Sequence, residues 1–232
     1  MSNHLSVAMA TSTLSRILNE AFSAELPGAV RNARVTTQRP QTLSATDTDA
    51  SGVNVFLYRV LSNGAWSAAE LPARRGDGTL VNRPRQALDL HYLLTFYGDE
   101  SALEPQRLLG LAVSTLAVQP VLSRETIAHA AQQAVKANPT AWEQHSDLTD
   151  QPDAVRFSLL PLDLEELTKL WSMFSHAPYR LSVVYQATVV LLDGQAMPAR
   201  PAPKVQRLEI TAYPSVTPPL VPDVASDPAV RT

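Results

Sequence analysis

The chain has 232 residues, 19 basic against 22 acidic, and an apolar fraction of 45%, enough for a sizeable core in one large domain or two small ones. The absence of cysteine excludes a disulfide framework, a thiolate nucleophile and any cysteine metal site, and a formal charge of −3 gives no general reason to expect nucleic acid. No stretch comes near the roughly 20 apolar residues that a membrane span requires. The first residues, MSNHLSVAMATSTLSRILNEAF, lack the cationic start and unbroken apolar run of an export signal, so the expectation is a protein made and kept in the cytoplasm.

In chain order, Leu14, Ile17, Leu18, Ala21 and Phe22 recur at three- and four-residue spacing, which predicts an amphipathic helix from about Leu5 to Leu26, ended by Pro27-Gly28. A strand is expected over Val30 to Thr37, then a polar loop from Gln38 to Gly52, a second strand over Val53 to Leu61, and a turn at Ser62-Asn63-Gly64. A loop at 71–86 follows, in which Arg74, Arg75, Arg83 and Arg85 crowd around the turn-forming Gly76-Asp77-Gly78. Beyond it Leu88, Leu90, Tyr92, Leu94 and Phe96 share one face while Asp89, His91 and Thr95 share the other, the period of a half-buried strand.

Ser101 with Glu104, followed by Pro105, matches a capping box and predicts a helix to about Val118. Ser123 is placed to cap another helix, carrying Ile127, Ala130, Ala131, Ala134 and Val135 and stopping near Asn138-Pro139. Thr140 to Asp153 is polar and reads as loop, Val155 to Leu160 as strand, and Asp163 with Glu166 opens a short helix bearing Leu167, Leu170, Trp171 and Phe174. Tyr179 to Leu192 alternates as a long strand with Leu181, Val183, Tyr185 and Val189 on one face, and Val205 to Tyr213 is its expected antiparallel neighbour. Pro218, Pro219, Pro222 and Pro228 mark a tail without apolar periodicity. This order predicts an α+β (mixed α/β) fold, a mainly antiparallel or mixed sheet covered on one face by helices, with one domain at 1–213 and a proline-rich tail at 214–232.

Catalytic patterns are scarce. The five histidines are scattered, with no pair at the helical spacing that aims two imidazoles at one metal, and there is no G-x-S-x-G, G-x-x-x-x-G-K or G-x-G-x-x-G. Asp47-Thr48-Asp49 reads as solvated loop, Glu165-Glu166 as cap and first-turn carboxylates, His91 as a hydrogen-bonded structural histidine, and Arg75-Gly76-Asp77 as a turn. No cofactor or metal is expected. The arginine loop is either a solvated excursion or an arm whose guanidinium groups take carboxylates of a neighbouring subunit, with Arg74, Arg75, Asp77, Arg83 and Arg85 as the candidate interface. Arg31, Arg34 and Arg39 form a second basic stretch around the first strand. As the two contact surfaces of an assembly, the loop Leu71 to Gln86 and the strand Tyr179 to Leu192 are the candidates.

At this loop and strand the chain resembles a known family. V-N-V-F-L-Y at Val53 to Tyr58, E-L-P-A-R-R-G-D-G-T-L-V at Glu70 to Val81, R-P at Arg83-Pro84, A-L-D-L-H-Y-L-L-T-F-Y-G-D-E at Ala87 to Glu100 and L-E-P-Q-R-L-L-G at Leu103 to Gly110 are similar to the domain of cap proteins from extracellular contractile injection systems of the antifeeding-prophage type. More loosely, the likeness runs from the first helix to about Tyr213. It implies a structural tail terminator without catalysis. Such a protein forms a hexameric ring on the distal end of the inner tube, meets the last sheath ring, ends polymerisation and helps set particle length. The partners implied are copies of itself, the tube protein and the sheath protein, with neither nucleic acid nor membrane. The implied location is the cytoplasm during assembly and a released extracellular particle afterwards. An assembly chaperone or adaptor of the same system, and a ligand-binding enzyme, are the alternative readings.

Overall fold

A computed structural model describes residues 3–24, 26, 28–40, 50–67, 85–174 and 177–194. The elements are α1 (Ser6–Ser23), β1 (Arg34–Thr36), β2 (Gly52–Ser62), α2 (Gly64–Ser67), β3 (Arg85–Tyr97), α3 (Glu104–Val118), α4 (Arg124–Ala137), β4 (Arg156–Leu160), α5 (Leu164–Ser172) and β5 (Ser182–Asp193). The strands form one five-stranded sheet in the order β1-β2-β3-β5-β4, in which β1 runs parallel to β2 and the other pairings are antiparallel. This is the expected α+β architecture. Most of the arginine loop, the segment Val205 to Tyr213 and the proline-rich tail lie outside the described residues.

The apolar stripe of α1 builds the main core. Met9, Leu14, Leu18 and Phe22 meet Val53 and Val55 of β2, Leu90, Tyr92, Leu94 and Phe96 of β3, and Leu108, Leu116 and Ile127 from α3 and α4. Each such side chain contributes roughly 1.5–3 kcal/mol by leaving water. The Tyr92 hydroxyl, fully buried, hydrogen-bonds Thr11 of α1 at 2.9 Å, which satisfies the only polar atom that this ring carries into the core.

β3 is more than the half-buried strand that its alternation suggests. Every residue from Leu90 to Phe96 is buried. On the second face Leu93 packs with Val184, Leu170 and Phe174, supported by Phe56, Tyr58 and Trp171, so the capped helix α5 covers part of the side opposite the three long helices. Asp163 accepts from the Glu166 amide while the Glu166 carboxylate accepts from the Asp163 amide, as the sequence predicts for the start of α5. Ser123 likewise caps α4 by accepting from Thr126 N at 3.1 Å.

Three local expectations change. Leu103 stands in the left-handed region (φ 56°), so α3 begins at Glu104 and Ser101 lies outside it. The Glu104 carboxylate is no cap: it accepts from Ser51 Oγ at 2.5 Å and Asp99 N at 2.9 Å, tying the β3–α3 turn to the entry of β2. A side chain at Gly98 would strike Glu104 and Ser51, which is why glycine stands there at φ 150°. β1 is shorter than Val30 to Thr37, because Asn32 turns the chain at φ 57° and Val30 is buried in the core instead. In β5 the pairing with β3 slips by one residue between Leu88 and Leu90, where Thr188 and Val189 together face the single Asp89. This bulge reverses the alternation, so Tyr185 and Ala187 face the main core while Val189 joins Leu191, Ala87 and Trp66 in a separate cluster.

β5 is also an interior strand, with β3 on one side and β4 on the other. It therefore offers no docking edge, contrary to the expectation for Tyr179 to Leu192, and the place expected for Val205 to Tyr213 is already taken by β4 over residues 184–188. Beyond β4 the edge is filled by one side chain. Gln151 Nε2 donates to Val189 O at 2.7 Å and its Oε1 accepts from Leu191 N at 2.9 Å, as a neighbouring strand would. Gln151→Leu leaves both backbone groups buried without partners, at about 1–3 kcal/mol. Urea unfolding should show a lower midpoint at unchanged slope; an unchanged midpoint would mean that Gln151 does not close this edge.

Candidate functional site

Of the candidate interface residues, Arg74, Arg75, Asp77 and Arg83 lie outside the described residues and Arg85 is the first residue of β3. The root of the arm is built in detail. Arg85 stands across from Asp193 in the β3–β5 register, and its Nε donates to Asp193 Oδ1 at 2.6 Å, with the two side chains 23% and 8% exposed. On the other side of the root, Asn63 N donates to Ala87 O at 2.8 Å and Asn63 Nδ2 to both Asp89 oxygens at 3.0 and 3.2 Å. The Asn63 carbonyl oxygen accepts from Trp66 N at 3.2 Å, so a residue expected in a plain turn starts α2. Trp66 then packs on Ala87, Val189 and Leu191. Whatever leaves the sheet between Ser67 and Arg85 does so from an anchored base.

Among the described residues no group of three or more His, Asp or Glu is placed to hold a metal ion, and no hydroxyl is hydrogen-bonded to a histidine. A cleft of about 330 Å3 lies between β2 and α5, lined by Tyr58, Arg59, Leu162, Glu166, Lys169 and Leu170 with Met173. Glu166, the acid in that cleft, is committed to the α5 cap. No helix among the described residues is long and apolar enough to cross a membrane.

His91 is a buried titratable group outside that cleft. It is 6% exposed, on the second face of β3, with the Tyr58 ring 6.0 Å away, and, contrary to the hydrogen-bonded histidine expected, neither ring nitrogen has a hydrogen-bond partner among the described residues. Burial, and then the Arg59 guanidinium, push its imidazole below the usual value of 6.5, with Asp89 pulling the other way. As pH falls through 6.5 the unfolded chain takes up a proton that the folded chain resists, so stability conferred by the neutral ring is present above 6.5 and is lost below it. The melting temperature should therefore fall from pH 7 to pH 5 more steeply for the native chain than for His91→Phe, the difference amounting to at most one bound proton. Equal slopes would show that His91 titrates as it does in water.

The open margins of the sheet complete the picture. β1 has no partner on its outer side among the described residues, and Arg34 in β1 and Arg31 just before it are exposed. On the opposite margin the start of β4 is covered, since Val121 bridges Arg156, Leu122 N donates to Val155 O at 2.8 Å and Phe157 N donates to Pro120 O at 2.6 Å. Among the described residues Ser158 to Leu160 have no strand on their outer side. The basic stretch was visible in the sequence; that it lies along a free edge depends on strand order, which no local pattern carries.

Comparison with known proteins follows this geometry. A family profile described as the Pvc16 N-terminal domain matches residues 10–206. Among solved structures, the chain is similar to the sheath/tube terminator of the PVC extracellular contractile injection system in its extended state, at 15% identity and a TM-score of 0.55, over 89% of this chain and 63% of that one. It is also similar to the tube-terminating cap of the anti-feeding prophage, at 15% identity and a TM-score of 0.43, over 85% of this chain and 59% of that one. The chain thus spans less than two thirds of the length of either. At this identity the first likeness is one of fold. The curated proteins contain no match.

Proposed function

The chain belongs to the Pvc16 N-terminal domain family, and from that membership we propose that it is a structural cap of a phage-tail-like contractile injection particle. Copies form a ring, six to match the tube, on the end of the tube and sheath distal to the baseplate; the ring ends polymerisation and so helps to set length. Its partners are other copies, the tube protein and the sheath protein. The ring is assembled in the cytoplasm and leaves with the particle. It turns over no substrate.

The family match over residues 10–206 is the observation that carries this reading. The fold shared with a sheath/tube terminator supports it, as does a physical requirement. A terminator must match the symmetry of the polymer on one face and deny the next subunit its docking surface on the other, which a closed ring of head-to-tail contacts does. In this reading Arg74, Arg75, Asp77 and Arg83 form an arm that projects from the pinned root at Arg85 and Asp193, and its guanidinium groups take carboxylates of an adjoining subunit.

Particles made without this chain should have sheaths of scattered length, and an epitope tag on it should label the end opposite the baseplate in electron micrographs. A tag at the baseplate, or its absence from purified particles, would overturn the reading. Replacing Arg74, Arg75 and Arg83 together by Ala should lower cap occupancy at least tenfold, about 1.4 kcal/mol or more of lost contact, while leaving the melting temperature unchanged. Full occupancy would remove the arm from the interface.

A further inference from the structure

The two margins of the sheet differ in charge and shape. Residues 28–40, around β1, hold Arg31, Arg34 and Arg39 and no acidic residue. Arg31 and Arg34 are exposed and have no ion pair among the described residues. Behind them is a recess of about 230 Å3, lined by Leu26, Val30, Leu108 and Leu111 and by Arg107, whose guanidinium donates to the Gly28 and Ala29 carbonyls. Asp99 and Glu100 follow Tyr97, which pairs with Gly52, the register partner of Arg34, and Asp99 accepts from Ser101.

Across the sheet, residues 143–153 hold Glu143, Asp147, Asp150 and Asp153 and no lysine or arginine. Gln151 fixes this segment to β5 beyond the start of β4, so it lies at the β4 margin. Glu143 is bonded to Ser12 and Asp147 to Asn3, whereas Asp150 and Asp153 are exposed with no ion pair among the described residues. Arg124 and Arg156 lie on the same side, and Arg124 is turned onto the Gln151 carbonyl at 3.5 Å. On this side of the sheet Leu159 of β4 is 53% exposed, and Val118, at the end of α3 shortly before the Val121–Arg156 bridge, is 87% exposed.

We propose that copies of this chain join head to tail through opposite margins of the sheet, Arg31 and Arg34 of one copy facing Asp150 and Asp153 of the next, with the projecting apolar side chains of one margin seated at the recess of the other. The occupant of each margin is a second copy. The two surfaces are unlike, so the contact is heterologous; it repeats from copy to copy and closes into a ring when the rotation allows. Among the described residues, the short outer edge of β1 and the end of β4 have no strand partner, and sheet edges are the usual place for strand-to-strand association. This inference rests on the cap reading for its ring, and it deepens that reading by naming which surfaces meet.

Charge reversal in the full chain tests it. The variant Arg31→Glu with Arg34→Glu, and separately Asp150→Lys with Asp153→Lys, should each keep the circular dichroism and melting temperature of the native chain yet lose rings in sedimentation and negative-stain images. The affinity between copies should fall at least tenfold at low salt, and by less at high salt. Mixing the two variants should restore rings in which the two forms alternate, and combining all four changes in one chain should restore rings of a single form. If a reversal unfolds the chain, Arg31→Gln with Arg34→Gln and Asp150→Asn with Asp153→Asn serve instead, each weakening rings.

Intact rings in the single reversals would overturn this pairing and leave the cap reading standing. Ring loss that neither mixing nor combination repairs would overturn it too. A native chain that is monomeric at every concentration and missing from the particle end would overturn both.

Discussion

Strand β3 has no free side. β2 and β5 take its two hydrogen-bonding edges, α1, α3 and α4 cover one face, and α5 with the aromatic residues Phe56, Phe174 and Trp171 covers the other over Leu93. A strand buried on both faces must be apolar on both, which is why Leu90 to Phe96 is an almost continuous apolar run broken only by His91 and Thr95. The consequence is geometric. With the middle of the sheet sealed, strand-to-strand contact with another molecule is left to the two margins, and any arm must leave from the ends of the strands.

The ends are held by polar side chains that do the work of missing strands and caps. Gln151 occupies the edge of β5 past β4, Glu104 joins the β3–α3 turn to Ser51, and Arg107 gathers the carbonyls that connect α1 to β1. The partly shielded pair of Arg85 and Asp193, with Asn63 and Trp66 opposite, fixes the position from which the loop departs. Ties of this sort join segments that lie far apart in the sequence.

How far the fold could be read from the sequence depended on how local each signal was. The caps at Ser123 and Asp163 are decided within four residues and were legible. Ser101 and Glu104 fit the same pattern, yet the left-handed Leu103 moves the helix start, and that depends on Glu104 having a better partner in Ser51, more than fifty residues away. Alternation placed the core face of β3 correctly and missed the burial of its other face, because the covering residues come from α5, some seventy positions later. In β5 a single bulge transferred Val189 to the opposite side, and strand order placed β3 and β4 beside a strand expected to pair with Val205 to Tyr213. The arginines around β1 were visible as composition; their meaning as a margin opposed to an acidic one required the topology. Family likeness was legible in the block from Leu71 to Gly110, part of which lies outside the described residues.

The central claim is that this domain meets its neighbours through the outer margins of its sheet while the interior stays inert. Hydrogen–deuterium exchange on the chain, dispersed and then assembled at the particle end, reads this directly. The account predicts slow exchange in β3 and β5 in both states. It predicts new protection on assembly confined to the margins at residues 31–36 and 147–160 and to the loop at 71–84. Protection gained in the middle of the sheet, or none gained at either margin, would contradict it.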